Sequence, residues 1–365
     1  MKMPTAAIRE EILERGAISF ARFMELALYC PETGYYETKK NIVGQRGDFI
    51  TSVSVGSLFG ELLAFQFAEW LGESKIQHEK LKIVEAGAHD GRLAADILNW
   101  LKTHRPGLFS ETHYVIVEPS AIRRRWQNEI LAEFSDKIFW VAQITELKHG
   151  PSALGHPQLG IIFSNELLDA FPVHRYGWDA NGQKWFEWGV ALAGEKFVWT
   201  RLENSGFGIQ NSELEAVLPD NYTVEQSSAA EHWWREAAGI FSRGKLVTID
   251  YGYTAEEQFL PARTRGTLRG YFRHHVTNDL LANPGEQDLT AHVNFSAIQT
   301  MGEKAGLKTE NFCPQPRFLT QILQKTVAEN CFANLDAKRV RQFQMLTHPE
   351  HPGRAFRVLV QGRSG

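Results

Sequence analysis

Three short segments concentrate residues whose types and spacing could do chemistry. Glu85-Ala86-Gly87-Ala88-His89-Asp90-Gly91 follows the apolar run Lys82-Ile83-Val84 and opens a helix. Its two glycines, four apart, permit unusual dihedrals and let the backbone approach a ligand closely. Glu118 follows a second run, His113-Tyr114-Val115-Ile116-Val117. A carboxylate at such a strand end can accept both hydroxyls of a ribose. Taken alone, either feature is equally an ordinary strand–helix turn, with Glu118 solvated. Together they form a nucleoside-cofactor signature. The third segment, Ser164-Asn165-Glu166-Leu167-Leu168-Asp169-Ala170-Phe171-Pro172, puts polar residues directly after four apolar ones. Glu166 and Asp169 are three apart, so both can face one way on a helical turn; the same residues could equally cap a helix start.

The glycine pattern narrows the cofactor. A dinucleotide calls for Gly-x-Gly-x-x-Gly, which admits a pyrophosphate at the helix start. Positions 89 and 92 hold His89 and Arg92 instead. No Gly-x-x-x-x-Gly-Lys-Ser/Thr occurs, so a P-loop is excluded as a motif. S-adenosylmethionine carries a sulfonium, an amino-acid end and a ribose but no phosphate. An acid-flanked turn suits it better than it suits a pyrophosphate.

The elements that must position these residues read as follows. Apolar runs at 82–85, 113–117, 138–141, 159–163 and 246–250 predict strands, with helices at about 93–102 and 121–134 between the first three; 356–360 predicts a last strand. Continuous apolar strands alternating with helices argue for an α/β fold with a parallel sheet covered on both faces. Helices at 5–15, from Phe20 to before Pro31, with Ser19 as its cap, and at 57–71 precede them, so residues 1–75 read as a helical N-terminal cap. Residues 44–56 read as a glycine-rich loop. Val173 to Trp178, Trp185 to Ala191 and Phe197 to Leu202 predict an antiparallel meander, with turns at Asn181-Gly182 and Gly194-Glu195. The polar stretch from Arg269 to His292 reads, on composition alone, as a hydrated surface loop. His274 and His275 are adjacent, their side chains diverge, and no metal site is expected there.

Composition removes other classes. With 43 % hydrophobic and 22 % charged residues in 365, the chain is neither disordered nor fibrous. Lys and Arg number 39 against 43 Asp and Glu, a net charge of −4, so no general nucleic-acid partner is expected. The 10 Trp and 23 Phe read as core more than as ligand platforms. Cys30, Cys313 and Cys331 form no Cys-x-x-Cys pair and fit a reducing compartment. No apolar run reaches a membrane-spanning length, and Glu10, Glu11 and Glu14 argue against a signal or transit segment. A soluble, cytoplasmic protein is expected.

Several segments resemble the MidA-like family of S-adenosylmethionine-dependent methyltransferases, which is related to the mitochondrial factor that methylates a protein arginine during complex I assembly. Gly47-Asp48-Phe49-Ile50-Thr51-Ser52 with Phe59-Gly60-Glu61, Val84 to Gly91, Asn165 to Val173, Ile249 to Tyr253, Gly266 to Tyr271 and Asn283 to Val293 match its motifs in order, from about Ile18 to Val360. Two places depart from its pattern. Ser52-Val53-Ser54 stands where the family has Ser-Pro-Glu, and Gly87-Ala88-His89-Asp90-Gly91 where it has Gly-Pro-Gly-x-Gly. His89 could stack on the cofactor or cap the helix.

The resemblance implies a Rossmann-like class I methyltransferase sheet of about seven strands over residues 76–365, with insertions at about 173–202 and 253–300. It implies S-adenosylmethionine as cofactor, held by Thr51, Glu85, Gly87, His89, Gly91, Glu118 and Asn165. It implies a protein substrate, an arginine, gripped by carboxylates; Glu166, Asp169 and Asp288 are the candidates, with His292 beside them, because a loop over 269–292 could fold as a lid. The alternatives are a non-catalytic scaffold that keeps the fold, or a small-molecule methyltransferase.

Overall fold

The computed structural model describes residues 3–38, 51–72, 81–148, 159–202, 215–273, 275–329, 336–348 and 356–363. Much of the 44–56 loop, His274 and Cys331 lie outside them. The chain divides into two compact units: Met1–Lys39, Leu168–His232 and Gly252–Ala297 form the first, and Lys40–Leu167, Trp233–Tyr251 and Ile298–Gly365 the second. The N-terminal helices are divided accordingly. Those at Pro4–Arg15 and Phe20–Tyr29 belong to the first unit, and Leu58–Gly72 to the second.

The second unit is built on seven strands of an eight-stranded sheet: β1 (Leu81–Ala86), β2 (Thr112–Val117), β3 (Ile138–Val141), β4 (Leu159–Asn165), β5 (Arg243–Tyr253), β6 (Lys308–Pro314) and β7 (Phe356–Arg363). Their order is β6-β7-β5-β4-β1-β2-β3. β1 to β5 pair in parallel, while β7 runs antiparallel to both β5 and β6. The chain winds outward from β1 in one direction through β2 and β3, then returns to β4 and winds the other way. The reversal falls between β1 and β4, and in open α/β sheets ligands bind beyond the carboxyl ends of the strands at that point.

The predicted strands are present. β6 was not foreseen, because Lys308-Thr309-Glu310-Asn311 carries no apolar run. Apolar side chains of β1, β2, β4, β5 and β7 gather with the helices Leu58–Gly72, Arg92–His104 and Gln315–Ala328 into one core, in which Phe65, Phe67, Ile97, Tyr114, Phe163 and Leu319 are fully buried. Burial of this kind is worth roughly 1.5–3 kcal/mol per large side chain.

The first unit holds the meander at His174–Asp179, Lys184–Ala193 and Lys196–Leu202, extended by Ile18–Ser19 on one side and Thr223–Gln226 on the other. Tyr176, Trp178, Trp185, Leu218, Tyr222 and Val224 pack as its core. Ser19 caps the helix after it, its Oγ accepting from the Arg22 amide at 3.2 Å. The stretch expected as a hydrated loop is instead a small antiparallel sheet, with Arg269–Phe272 between His275–Thr277 and Asp288–Thr290. Gln287, Asp288, Leu289 and Ala291 are buried there. Polar residues fill this segment because several of them hydrogen-bond inside it: Gln287 Nε2 donates to the carbonyls of Asp279 and Leu280.

Candidate functional site

The second unit places the glycine turn at the carboxyl end of β1. Gly87 and Gly91 both have left-handed backbones, with φ of 78° and 92°. At Gly87 a Cβ would lie 2.9 Å from Leu167 Cδ1, which follows β4. His89 also has positive φ, 46°. That explains why glycine serves at this position in the family; histidine is among the residues that tolerate the conformation. Its Nδ1 lies 3.8 Å from Asp90 Oδ1, and its buried Nε2 has no hydrogen-bond partner. Burial pushes the Asp90 carboxyl up, but His89 and Arg92 outweigh it and hold it below its ordinary range.

Glu85 accepts from the Tyr114 hydroxyl at 2.7 Å. β-pairing puts it on one sheet face with Ile83, Tyr114 and Ile116. Burial drives its carboxyl up to about 7, against the Tyr114 bond and with help from Asp90.

Glu118 is 1 % exposed, so the solvated reading fails. Its Oε1 accepts from the Ser120 amide at 2.9 Å and lies 3.2 Å from Arg123 Nε. Gln127 Nε2 donates to its Oε2 at 3.2 Å.

At the end of β4, Asn165 Nδ2 donates to Glu166 Oε1 at 3.1 Å, while its buried Oδ1 lacks a partner. Glu166 has φ of 52° and its amide donates to the Ile249 carbonyl. That backbone ends any helical turn, so Glu166 does not share one with Asp169; the short 3-10 turn covers only Leu168–Ala170. Asp250, which the sequence reading did not single out, is fully buried at the end of β5 and accepts from the Leu167 amide at 3.2 Å and the Tyr251 amide at 2.8 Å. Thr51 closes a reciprocal turn with Ser54: the Thr51 amide donates to Ser54 Oγ at 3.0 Å, and the Ser54 amide to Thr51 Oγ1 at 3.2 Å.

The first unit holds Asp169, Asp288 and His292. The Ala291 amide donates to the Asp169 carbonyl at 2.9 Å. Asp288 Oδ1 accepts from the Tyr36 hydroxyl at 2.7 Å and from the Leu289 amide at 2.9 Å. Burial raises the Tyr36 phenol well above its ordinary range, with Asp288, Tyr29 and Asp169 adding to it, so it stays a donor. Tyr36 stacks on Tyr29 with centroids 5.6 Å apart, and nothing in its sequence context marked it.

The His292 ring lies on Tyr253 at 4.7 Å and 6°, and the Arg263 guanidinium sits 4.0 Å from the same ring's centroid. Burial holds the imidazole down to about 4, and Arg269 and Arg263 act in the same direction. His292 is therefore neutral at neutral pH. Among the described residues no cluster could hold a metal ion.

A doubly wound parallel sheet with a glycine turn after β1 and a buried carboxylate after β2 defines a nucleoside-cofactor α/β protein. The family described as "Putative S-adenosyl-L-methionine-dependent methyltransferase" matches residues 62–313, and the chain belongs to it. It is an S-adenosylmethionine-dependent methyltransferase by family. Curated relatives include the zebrafish (Danio rerio) protein arginine methyltransferase NDUFAF7, mitochondrial, 27 % identical over 96 % of this chain and 85 % of its own. The Drosophila melanogaster homologue is 26 % identical over 97 % of this chain and 83 % of its own. A Burkholderia thailandensis protein crystallised with S-adenosyl-homocysteine shares 30 % identity and a TM-score of 0.84, covering 99 % of this chain and 92 % of that one. The relatives' names overturn the expectation of a cytoplasmic protein, since they point to mitochondria. No described helix is long and apolar enough to cross a membrane.

The residues present fit the cofactor. Two buried polar atoms without partners, His89 Nε2 and Asn165 Oδ1, follow the two strands that flank the switch point. Gly87 leaves room beside Leu167, and Glu118 supplies a fixed carboxylate.

Proposed function

We propose that this methyltransferase acts on an arginine side chain of a protein. The cofactor supplies an electrophilic methyl group on a sulfonium. In this reading Glu118 accepts the ribose hydroxyls, and Gly87 and Gly91 let the backbone close on the ligand. His89 Nε2 and Asn165 Oδ1 take up its polar end. Glu85 holds the end of β1 through Tyr114, and Thr51 contributes from its turn with Ser54.

The acceptor assignment covers Glu166, Asp169, Asp288 and His292. The observation that carries it is the buried carboxylate of Asp288, held by Tyr36, with Asp169 acting on the same phenol. A guanidinium requires such carboxylates, because an unpaired buried charge costs several kcal/mol. A neutral His292 is suited to orienting the acceptor, not to carrying charge beside it. The names of the curated relatives support the same acceptor.

The test has two arms. Calorimetry with S-adenosylhomocysteine should show binding. Glu166→Gln and Asp288→Asn should each abolish transfer of a labelled methyl group to arginine in host proteins while cofactor affinity stays within a few-fold. Full transfer by both variants overturns the acceptor assignment. Binding without any transfer by the wild type favours the scaffold reading.

A further inference from the structure

Helix Ala121–Ile130 carries Ala121, Ile122, Trp126 and Ile130, yet its one buried side chain is that of a glutamine, Gln127, which is 0 % exposed. Nothing apolar about this residue explains the burial. Its hydrogen bonds do. Gln127 Nε2 donates to the backbone carbonyl of His89 at 3.0 Å and to Glu118 Oε2 at 3.2 Å. Trp140 Nε1, on β3, donates to Gln127 Oε1 at 2.8 Å. An indole N–H can only donate, so it fixes which end of the amide is oxygen. The amide then has both its hydrogens on acceptors and its oxygen on a donor.

We propose that Gln127 is the positioning residue of the cofactor site, tying the carboxylate of Glu118 to the glycine turn at His89 with the indole of Trp140 as its brace. The inference rests on the assignment of Glu118 to the cofactor's ribose. A ribose diol presents two donors at a fixed spacing, and a carboxylate accepts both only if its plane is held. The Ser120 amide holds one oxygen of Glu118 and Gln127 holds the other.

No other side chain meets all three demands. Glutamate would set an acceptor against the Glu118 carboxylate and the His89 carbonyl. Asparagine is one methylene too short. Methionine keeps the volume but leaves the Trp140 N–H and the His89 carbonyl without this partner, and a buried polar group left unmatched is costly.

A double-mutant cycle on S-adenosylhomocysteine affinity tests the coupling. Gln127→Met should weaken binding about tenfold in the wild-type background, the effect of losing one charged hydrogen bond. In the Glu118→Ala background the same change should cost at most about threefold, because the carboxylate it positions is gone. Trp140→Phe repeats the test with the glutamine kept, removing only the donor to its Oε1: a few-fold loss in the wild type and none in Glu118→Ala. It serves where Gln127→Met does not fold.

A purely structural role would give equal losses in both backgrounds. Equal losses, or unchanged affinity in both Gln127→Met and Trp140→Phe, overturn the proposal while leaving cofactor binding intact. A wild type that binds no S-adenosylhomocysteine at millimolar concentration overturns the cofactor assignment and this coupling together.

Discussion

Glu85→Gln should make the protein more stable at pH 8 than the wild type. The Glu85 carboxyl is buried and driven from 4.5 up to about 7 in the folded state. Below pH 4.5 it is protonated both folded and unfolded, and it contributes no pH dependence. Between 4.5 and 7 the folded state retains a proton that the unfolded state has lost, so stability falls as pH rises. Above 7 it is ionised in both states and the full penalty stands. At 1.36 kcal/mol per unit, that penalty is about 3 kcal/mol. Glutamine keeps an oxygen for the Tyr114 hydroxyl and cannot ionise.

His292 works in the opposite sense. Its imidazole is held from 6.5 down to about 4, so stability falls as pH drops through that interval, again by about 3 kcal/mol at its lower end. Between 4.5 and 6.5 the two slopes oppose each other, and the wild type should look nearly flat. Each single variant uncovers the other group. Urea unfolding at pH 4.5, 5.5, 6.5 and 8 should show Glu85→Gln gaining stability with pH and His292→Gln losing it. A pH-independent difference between Glu85→Gln and wild type, or a loss of stability at pH 8 larger than at pH 5, would refute the reasoning.

Three other outcomes follow from single contacts. Glu118→Ala should lower S-adenosylhomocysteine affinity at least tenfold by calorimetry, since charged hydrogen bonds are worth about 1.5–3 kcal/mol, while circular dichroism shows the fold intact. Gly87→Ala combines a φ of 78° with a contact 2.9 Å from Leu167 Cδ1. It should cost about 1–2 kcal/mol in unfolding free energy from the backbone alone and weaken the same ligand. Ligand at about 100 times its dissociation constant should stabilise the wild type by roughly 2.7 kcal/mol, read as a rise of several degrees in Tm; a tenfold weaker Glu118→Ala should show about half of that rise at equal concentration.

The sheet was legible because its inner strands are runs of apolar residues buried on both faces, as at Ile83-Val84 and Ile161-Ile162-Phe163. Burial leaves such runs no freedom of type, so their signal survives in one sequence. β6 escaped because an edge strand with a register shift between Thr309 and Asn311 needs little apolar content. The segment 269–292 misled for a related reason. Composition counts polar groups and cannot report that Gln287 Nε2 and Asp288 Oδ1 find their partners inside the protein. Likewise, position after a strand marked Glu118, but only the folded chain brings the Ser120 amide and Gln127 to it.

The two departures from the family pattern show the same limit from the other side. Read as letters, His89 replaces a glycine and Ser54 a carboxylate, and both look like losses. The backbone at His89 keeps the left-handed turn, with φ of 46°, so the glycine's conformational role is met by a residue that adds a buried nitrogen. Ser54 answers Thr51 by both its amide and its hydroxyl, the hydroxyl also donating to the Thr51 carbonyl at 2.8 Å. A turn that a Pro and a carboxylate would shape is closed here by two hydroxyls. In such places more than one set of side chains supplies the same backbone path.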